Sequence, residues 1–303
     1  MPTETAIFSS VPDRVLELLT GYLPSSLSIL RRLQFARRDA GTNPHARTIF
    51  TSDHGRLERG SPDPKIFVVA HVDLFYNPNT QIFLYSSLES QNYETGYAQD
   101  QSEHEALLAT TVESLVRLRR EGGSGERYPR RLILGSLHSD VRAILERTGR
   151  IHLLPSRGSG IYDKWLFQAQ TLPRVGSQLP EDMHWGFATL SDCQMVVSRT
   201  HILRSPDLLI KLHNLMVKLQ DLTPIAWAFL GIDGSIISLH CEESHRRNGL
   251  AKALAAKLLR ESTNSHSGDK CDGWASADVS TDNGAGQSVC KSLNGQRMWS
   301  VSW

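Results

Sequence analysis

The segment Arg246-Arg247-Asn248-Gly249-Leu250-Ala251 has the residue types to hold a diphosphate. It follows the strand-like stretch Ser235 to Cys241 and the polar turn Glu242-Glu243-Ser244-His245, and it opens a helical pattern running through Lys252 to Arg260. Strand, loop and helix in that order make an anion site, because the first backbone N–H groups of a helix lack internal partners and sit at the positive end of its dipole. Gly249 and Ala251 are small enough to let phosphates reach those amides, while Arg246 and Arg247 supply charge at the rim. A dinucleotide fingerprint would need glycines where this chain carries Arg246 and Asn248, so a nicotinamide or flavin oxidoreductase is a remote reading.

Several elements must position that segment. Three strands precede the helix, Leu215 to Leu219, Ile225 to Gly231 and Ser235 to Cys241, with Asp233-Gly234 as a tight-hairpin signal between the last two. Ser205-Pro206-Asp207 reads as a helix start leading into Leu208 to His213. In the first half, apolar residues recur at helical spacing from Val11 to Arg38, with a break at Pro24-Ser25-Ser26. Strand-like runs follow at Ala46 to Thr51, Lys65 to Phe75 and Gln81 to Tyr85, and a helical run spans Glu103 to Arg120. The Gly122-Gly123-Ser124-Gly125 run comes after a helix and before a strand, the reverse of a phosphate loop, and reads as a solvated connector. Strand-like Arg131 to Leu134, a short helix Ser139 to Arg147, and strands at Ile151 to Leu154 and Lys164 to Gln170 complete the half. The Pro, Gly and Ser content of Thr171 to Asp182 marks a boundary, giving expected domains of 1–175 and 176–303.

The spacing Arg-x-x-Gly-x-Ala at the helix entrance resembles the acetyl-CoA motif of the GCN5-related N-acetyltransferases (GNAT). The likeness extends through Ile225 to Gly231, Ser238-Leu239-His240, Gly273 to Val279, Asn283 and Lys291-Ser292-Leu293 to the FR47-like branch that includes the glycine N-acyltransferases. It implies an α/β GNAT fold, a mixed central sheet with splayed strands, present as two tandem domains of which only the second carries the motif. It also implies that acetyl-CoA or another acyl-CoA is the cosubstrate. The pantetheine arm would then bond to backbone groups of Leu239, His240 and Cys241, the diphosphate would lie on Arg246 through Ala251, and Asn283 would reach the arm. Asn283 reads equally well as the cap of the helix that follows it.

Acyl transfer from a thioester to an amine needs a neutral amine, a polarised carbonyl and a proton for the departing thiolate. Family members place a tyrosine seven residues after the asparagine as the proton donor; here that position holds Cys290, either a donor or a small buried hydrophobe. Glycine N-acyltransferases carry a glutamate base early on the motif strand, where this chain has Ser235. Asp278 and His240 are the preferred candidates for a base, with Glu242, Glu243 and a water relay as alternatives. These departures keep a non-catalytic acyl-CoA-binding module open as the alternative to an N-acyltransferase.

Bulk properties narrow the rest. With 33 basic and 32 acidic side chains among 303 residues, no net field directs the chain to nucleic acid or an anionic membrane, and a small amine or amino acid is the expected acceptor. No stretch approaches the roughly 20 apolar residues of a membrane span, and Met1 to Thr5 begins no secretory signal, so the expected location is cytoplasmic. Cys193, Cys241, Cys271 and Cys290 are scattered, and the histidines form no His-Glu-x-x-His segment, so free thiols and no metal are expected. Trp227, Trp274, Trp299 and Trp303 read as core residues. The first half, lacking the motif, is expected either to shape the acceptor pocket or to serve structurally by covering an exposed sheet edge of the catalytic unit.

Overall fold

The computed structural model describes residues 4–38, 43–53, 57, 61–75, 80–90, 101–121, 132–152, 160–174, 179–200, 202, 204–265 and 273–303. The Gly122 to Gly125 connector, the Leu153-Leu154 end of an expected strand, the 175/176 boundary and Cys271 lie outside the described residues. The chain forms two compact units, one of residues Met1–Ile161 with Ser300–Trp303, the other Tyr162–Trp299.

The first unit holds a five-stranded sheet in chain order. Its strands are β1 (Glu4–Phe8), β2 (Arg47–Ser52), β3 (Phe67–Val72), β4 (Ile82–Ser86) and the two-residue β5 (Leu134–Gly135). Every residue of β3 and β4 is buried, as a sheet covered on both faces requires. One face packs Val68, Ala70 and Leu84 on Leu107, Leu108 and Leu115 of the helix Gln101–Glu121 and on Val141 and Leu145 of the helix Ser139–Arg147. The break at Pro24-Ser25-Ser26 separates the helices Asp13–Gly21 and Leu27–Arg38, as the sequence predicts. After β5 the chain kinks at Ser136, with φ +51°, into β6 (Leu137–His138). The last residues return to this unit: Val301 and Ser302 pair with His138 and Leu137, and Trp303 packs edge-on against Phe83 at 6.0 Å. Trp303 is nevertheless 38% exposed, unlike the buried Trp227, so the expectation of a core residue fails for it.

The sheet of the second unit runs β13-β7-β12-β11-β10-β9-β8. Its strands are β7 (Ile161–Gln168), β8 (Met183–Gly186), β9 (Asn214–Leu219), β10 (Pro224–Leu230), β11 (Ser235–Cys241), β12 (Trp274–Ser280) and β13 (Gln296–Ser302). Sequence reading assigns β7 to the first half; the structure pairs it antiparallel with β12 from Trp274↔Gln168 to Ser280↔Tyr162. The units accordingly divide at Ile161 rather than at 175. The first unit takes its last strand residues, Ser300–Trp303, from the end of the chain, while the second is one continuous run.

The helix Leu250–Ser265 covers one face of this sheet. Leu250, Leu254, Leu258 and Leu259 repeat at helical spacing and pack with Ala226, Ala228, Ile236, Ala275, Ala277, Val279, Trp165 and Phe167. The helix Leu190–Ser198, which the sequence reading missed, starts with a capping box in which Thr189 and Asp192 satisfy each other's backbone amides. The expected helix from Leu208 to His213 is a single turn, Pro206–Leu209. Among the described residues no helix is long and apolar enough to cross a membrane, no His, Cys, Asp and Glu group could hold a metal, and Cys193, Cys241 and Cys290 are free.

Candidate functional site

Strand β11 pairs parallel with β12 only at Ser235↔Ser276 and Ile236↔Ala277, yet it continues to Cys241. Past this fork the two strands part. Burial changes at the same point, from buried Ser235 and Ile236 to half-buried residues through Cys241. On its other edge β11 stays bonded to β10, but with a bulge: Phe229↔Ile237 is followed by Trp227↔His240, so Ser238 and Leu239 together face Ala228. Ser238 has φ +53°, the left-handed conformation that lets an extra residue fit while redirecting the strand.

The bulge and the alternation of the strand decide which backbone groups face the gap. Glu242 donates its N–H to the Ile225 carbonyl at 2.8 Å, so the amide of Cys241, and that of Leu239 two residues earlier, point to the edge that β12 has left. The His240 amide points back toward β10. Of the three backbone positions expected to meet pantetheine, two face the gap, and His240 presents its side chain instead. The Cys241 carbonyl already accepts from Arg246 Nε at 3.0 Å, which ties together two residues expected to contact the cofactor.

Beyond Cys241 the chain turns through Glu243–His245 into the helix Leu250–Ser265. Arg247 and Gly249 both have positive φ, +66° and +75°. The Ala253 N–H bonds to the Gly249 carbonyl, so Gly249 is the residue that starts the helix. Among the described residues, the amides of Gly249, Leu250, Ala251 and Lys252 have no acceptor. A Cβ built on Gly249 meets nothing within 4 Å, so the space before these amides is open. Arg246, Arg247, Asn248 and Gly249 are exposed and Leu250 is buried, while half-buried Ala251 starts the helical run with it.

The side chains of His240 and Asp278 lie on the sheet face opposite the helix. Ala277 and Val279 pack on the helix side, so Asp278 between them points away; Leu239 and Cys241 do the same for His240. His240 stacks on Trp227 with centroids 4.4 Å apart and planes at 19°, and its Nε2 stands 3.7 Å from Glu242 Oε2. Asp278 is held differently. Its Oδ1 meets Lys164 Nζ at 2.6 Å, both side chains almost fully buried, across the β7–β12 register. Sequence reading missed Lys164, which sits among Trp165, Leu166 and Phe167 in a strand assigned to the other half.

A second carboxylate also escaped notice. Asp233, expected only as a turn residue, is buried, and its Oδ1 accepts from the Ser235 N–H at 3.3 Å and the Ser235 hydroxyl at 2.7 Å. The absent side chain of Gly231 makes room for it, since a Cβ there would lie 2.7 Å from that oxygen. A carboxylate therefore reaches the place where Ser235 replaces a glutamate, but from the neighbouring turn. Burial raises its pKa, Lys164 opposes that shift and Asp278 reinforces it. A raised native pKa means stability is greatest below the ordinary aspartate value near 4 and is lost as pH climbs through the raised value. Asp233→Asn, which keeps the oxygen that Ser235 needs, is expected to match the parent near pH 4 and exceed its stability at pH 7.5 in urea melts. A less stable variant at pH 7.5 would mean that the ionised carboxylate supports the fold.

Cys290 lies in the apolar cluster beneath the helix Gly284–Ser292, where burial pushes its thiol up to about 12. Asn283 is exposed and caps that helix, accepting from the Gly286 N–H at 2.9 Å.

A sheet that forks beside a bulge, with the forked strand leading into an open helix mouth, is the architecture of the GCN5-related N-acetyltransferase class, and the second of the chain's two α/β units has it. Solved structures share the fold. A Drosophila protein superposes with a TM-score of 0.65 at 14% identity over 99% of this chain and 97% of that one. A structure titled as a tandem GNAT protein from the clavulanic acid biosynthesis pathway gives 0.50 at 11% identity over 99% and 98%. Residues 3–165 match the family described as the acyl-CoA N-acyltransferase verG N-terminal domain, and the chain belongs to that family. No curated protein matches it in sequence.

Proposed function

We propose that the second unit binds an acyl-CoA and passes its acyl group to the nitrogen of a small amine or amino acid. The observation that carries this reading is the fork after Ile236: β11 continues alone to Cys241 and feeds a helix whose first amides are unoccupied. The diphosphate would rest on the amides from Gly249 to Lys252, with Arg246 and Arg247 at the rim. The pantetheine arm would lie in the gap as a substitute strand on the Leu239 and Cys241 backbone. Asn283, already a cap, has its amide group left to reach the arm.

In this reading the Leu239 N–H, redirected by the bulge, polarises the thioester carbonyl, and one such donor is worth roughly 3 kcal/mol. His240 takes the proton of the incoming amine: it is half-buried, and one ring face rests on Trp227. Asp278 is the weaker candidate for that task, since its carboxylate is already engaged by Lys164; it serves as a charged wall at the fork. The amine nitrogen bonds to the carbonyl carbon, the carbon–sulfur bond breaks, and the proton gained by His240 goes to the thiolate or to solvent. Cys290 has no part in this, because a thiol held near 12 cannot drive protonation of a thiolate whose reference value is near 8.5.

A non-catalytic acyl-CoA-binding module is the rival, favoured by the burial of Cys290 and the engagement of Asp278. Free thiol followed in the presence of acetyl-CoA and a panel of amines separates the two. Amine-dependent release, lost by about a hundredfold in His240→Gln with CoA affinity kept, is the expected result. CoA binding without release would favour the module, and absence of CoA binding would remove both.

A further inference from the structure

Glu242 and Arg199 form a chain behind His240. Glu242 Oε2 lies 3.7 Å from His240 Nε2, its Oε1 lies 3.3 Å from Arg199 Nε, and its backbone is pinned to β10 through the Ile225 carbonyl. Arg199 caps the end of the helix Leu190–Ser198, an element outside the sheet. The His240 Nε2 is buried and makes no hydrogen bond, and the Glu242 carboxylate at 3.7 Å stands just beyond hydrogen-bond range of it. Trp227 stacks on the ring and fixes its plane, while the Glu242 carboxylate faces its Nε2 edge.

We infer that Glu242 is a positioning residue, anchored by Arg199, that holds the proton of His240 on Nε2 and so leaves the Nδ1 lone pair free to take a proton from the acceptor amine. The inference rests on the reading of His240 as the base. In a neutral imidazole one nitrogen donates and the other accepts, and the partner of the first decides which is which. Histidines in catalytic and metal sites are commonly oriented by a carboxylate in this way. The sequence offers Glu242 as a base in its own right, but its contact with Arg199 and its place behind the ring suit it to orientation instead.

The full chain carries the test. Nitrogen-15 spectra of the histidine rings, without ligand, should show His240 protonated on Nε2 in the parent and a mixture of tautomers in Glu242→Leu, with Glu242→Gln closer to the parent because its amide oxygen still accepts. With acetyl-CoA and a turned-over amine, Glu242→Leu should lose tenfold or more in kcat with KM for acetyl-CoA unchanged. Adding it to His240→Gln should cost little more. Unchanged ring spectra in Glu242→Leu, or losses that multiply in the double variant, would overturn the inference. If the parent shows no CoA binding, the acyltransferase reading falls while the spectra still decide the orientation.

Discussion

Gly249→Val should lose acyl-CoA affinity by about a hundredfold or more, which corresponds to roughly 2.7 kcal/mol of binding free energy. Two features set the expectation. The backbone at Gly249 has φ +75°, where any side chain costs the fold about 1–2 kcal/mol. Nothing lies within 4 Å of the position a Cβ would take, so the protein itself does not clash with a larger residue. The damage should fall on the ligand, whose phosphates would have to share that open space with the valine methyls. Gly249→Ala carries the same backbone cost with less obstruction and should lie between valine and the parent. Calorimetric titration with CoA, together with thermal melts of all three proteins, separates binding from folding. A valine variant that melts as a folded protein and binds CoA with parental affinity would end the diphosphate assignment.

The fragment 176–303 should not fold. It omits β7, and with it the antiparallel partner of all of β12, two aromatic side chains of the core, Trp165 and Phe167, and the ammonium that neutralises Asp278. Removing one large buried aromatic side chain costs about 3–5 kcal/mol, and stranding one buried charge costs a similar amount. Against a typical domain stability of about 5–15 kcal/mol, the combined loss leaves nothing to hold the unit together. Circular dichroism and gel filtration should find an aggregated or unfolded chain with no cooperative melt. A monomeric fragment that melts cooperatively and binds CoA would show that β7 is dispensable.

That prediction marks the line between what the residues disclose and what they do not. The strands β9, β10 and β11 and the helix after them could be placed closely, because Asp233-Gly234 announces a hairpin and the helix repeats its leucines at the spacing of one buried face. The spacing from Arg246 to Ala251 likewise pointed to the helix mouth. By contrast, β7 reads as a strand but falls to the first half of the chain, since apolar content reports burial and says nothing about which neighbour a strand will choose. Lys164 was overlooked for the same reason: its partner, Asp278, lies far along the chain and becomes visible only through the register. Asp233 fitted a turn so well that its burial went unsuspected. The helix Leu190–Ser198 had a legible signal in Thr189 and Asp192 that was not read. The fork itself has no residue signature, because it is defined by pairing that stops.

The return of Ser300–Trp303 to the leading unit bears on how a ribosome would deliver it. In most two-domain proteins the leading domain can close while the trailing one is still being made. Here the leading unit lacks its last pairing partner until Ser300–Trp303 has been synthesised, and the segment it releases at Ile161 stays an unmatched, aromatic-rich strand until Trp274–Ser280 arrives. The leading unit must wait for the last residues of the chain, whereas the trailing unit is one continuous run, and β7 presents an adhesive edge until its partner strand has been made.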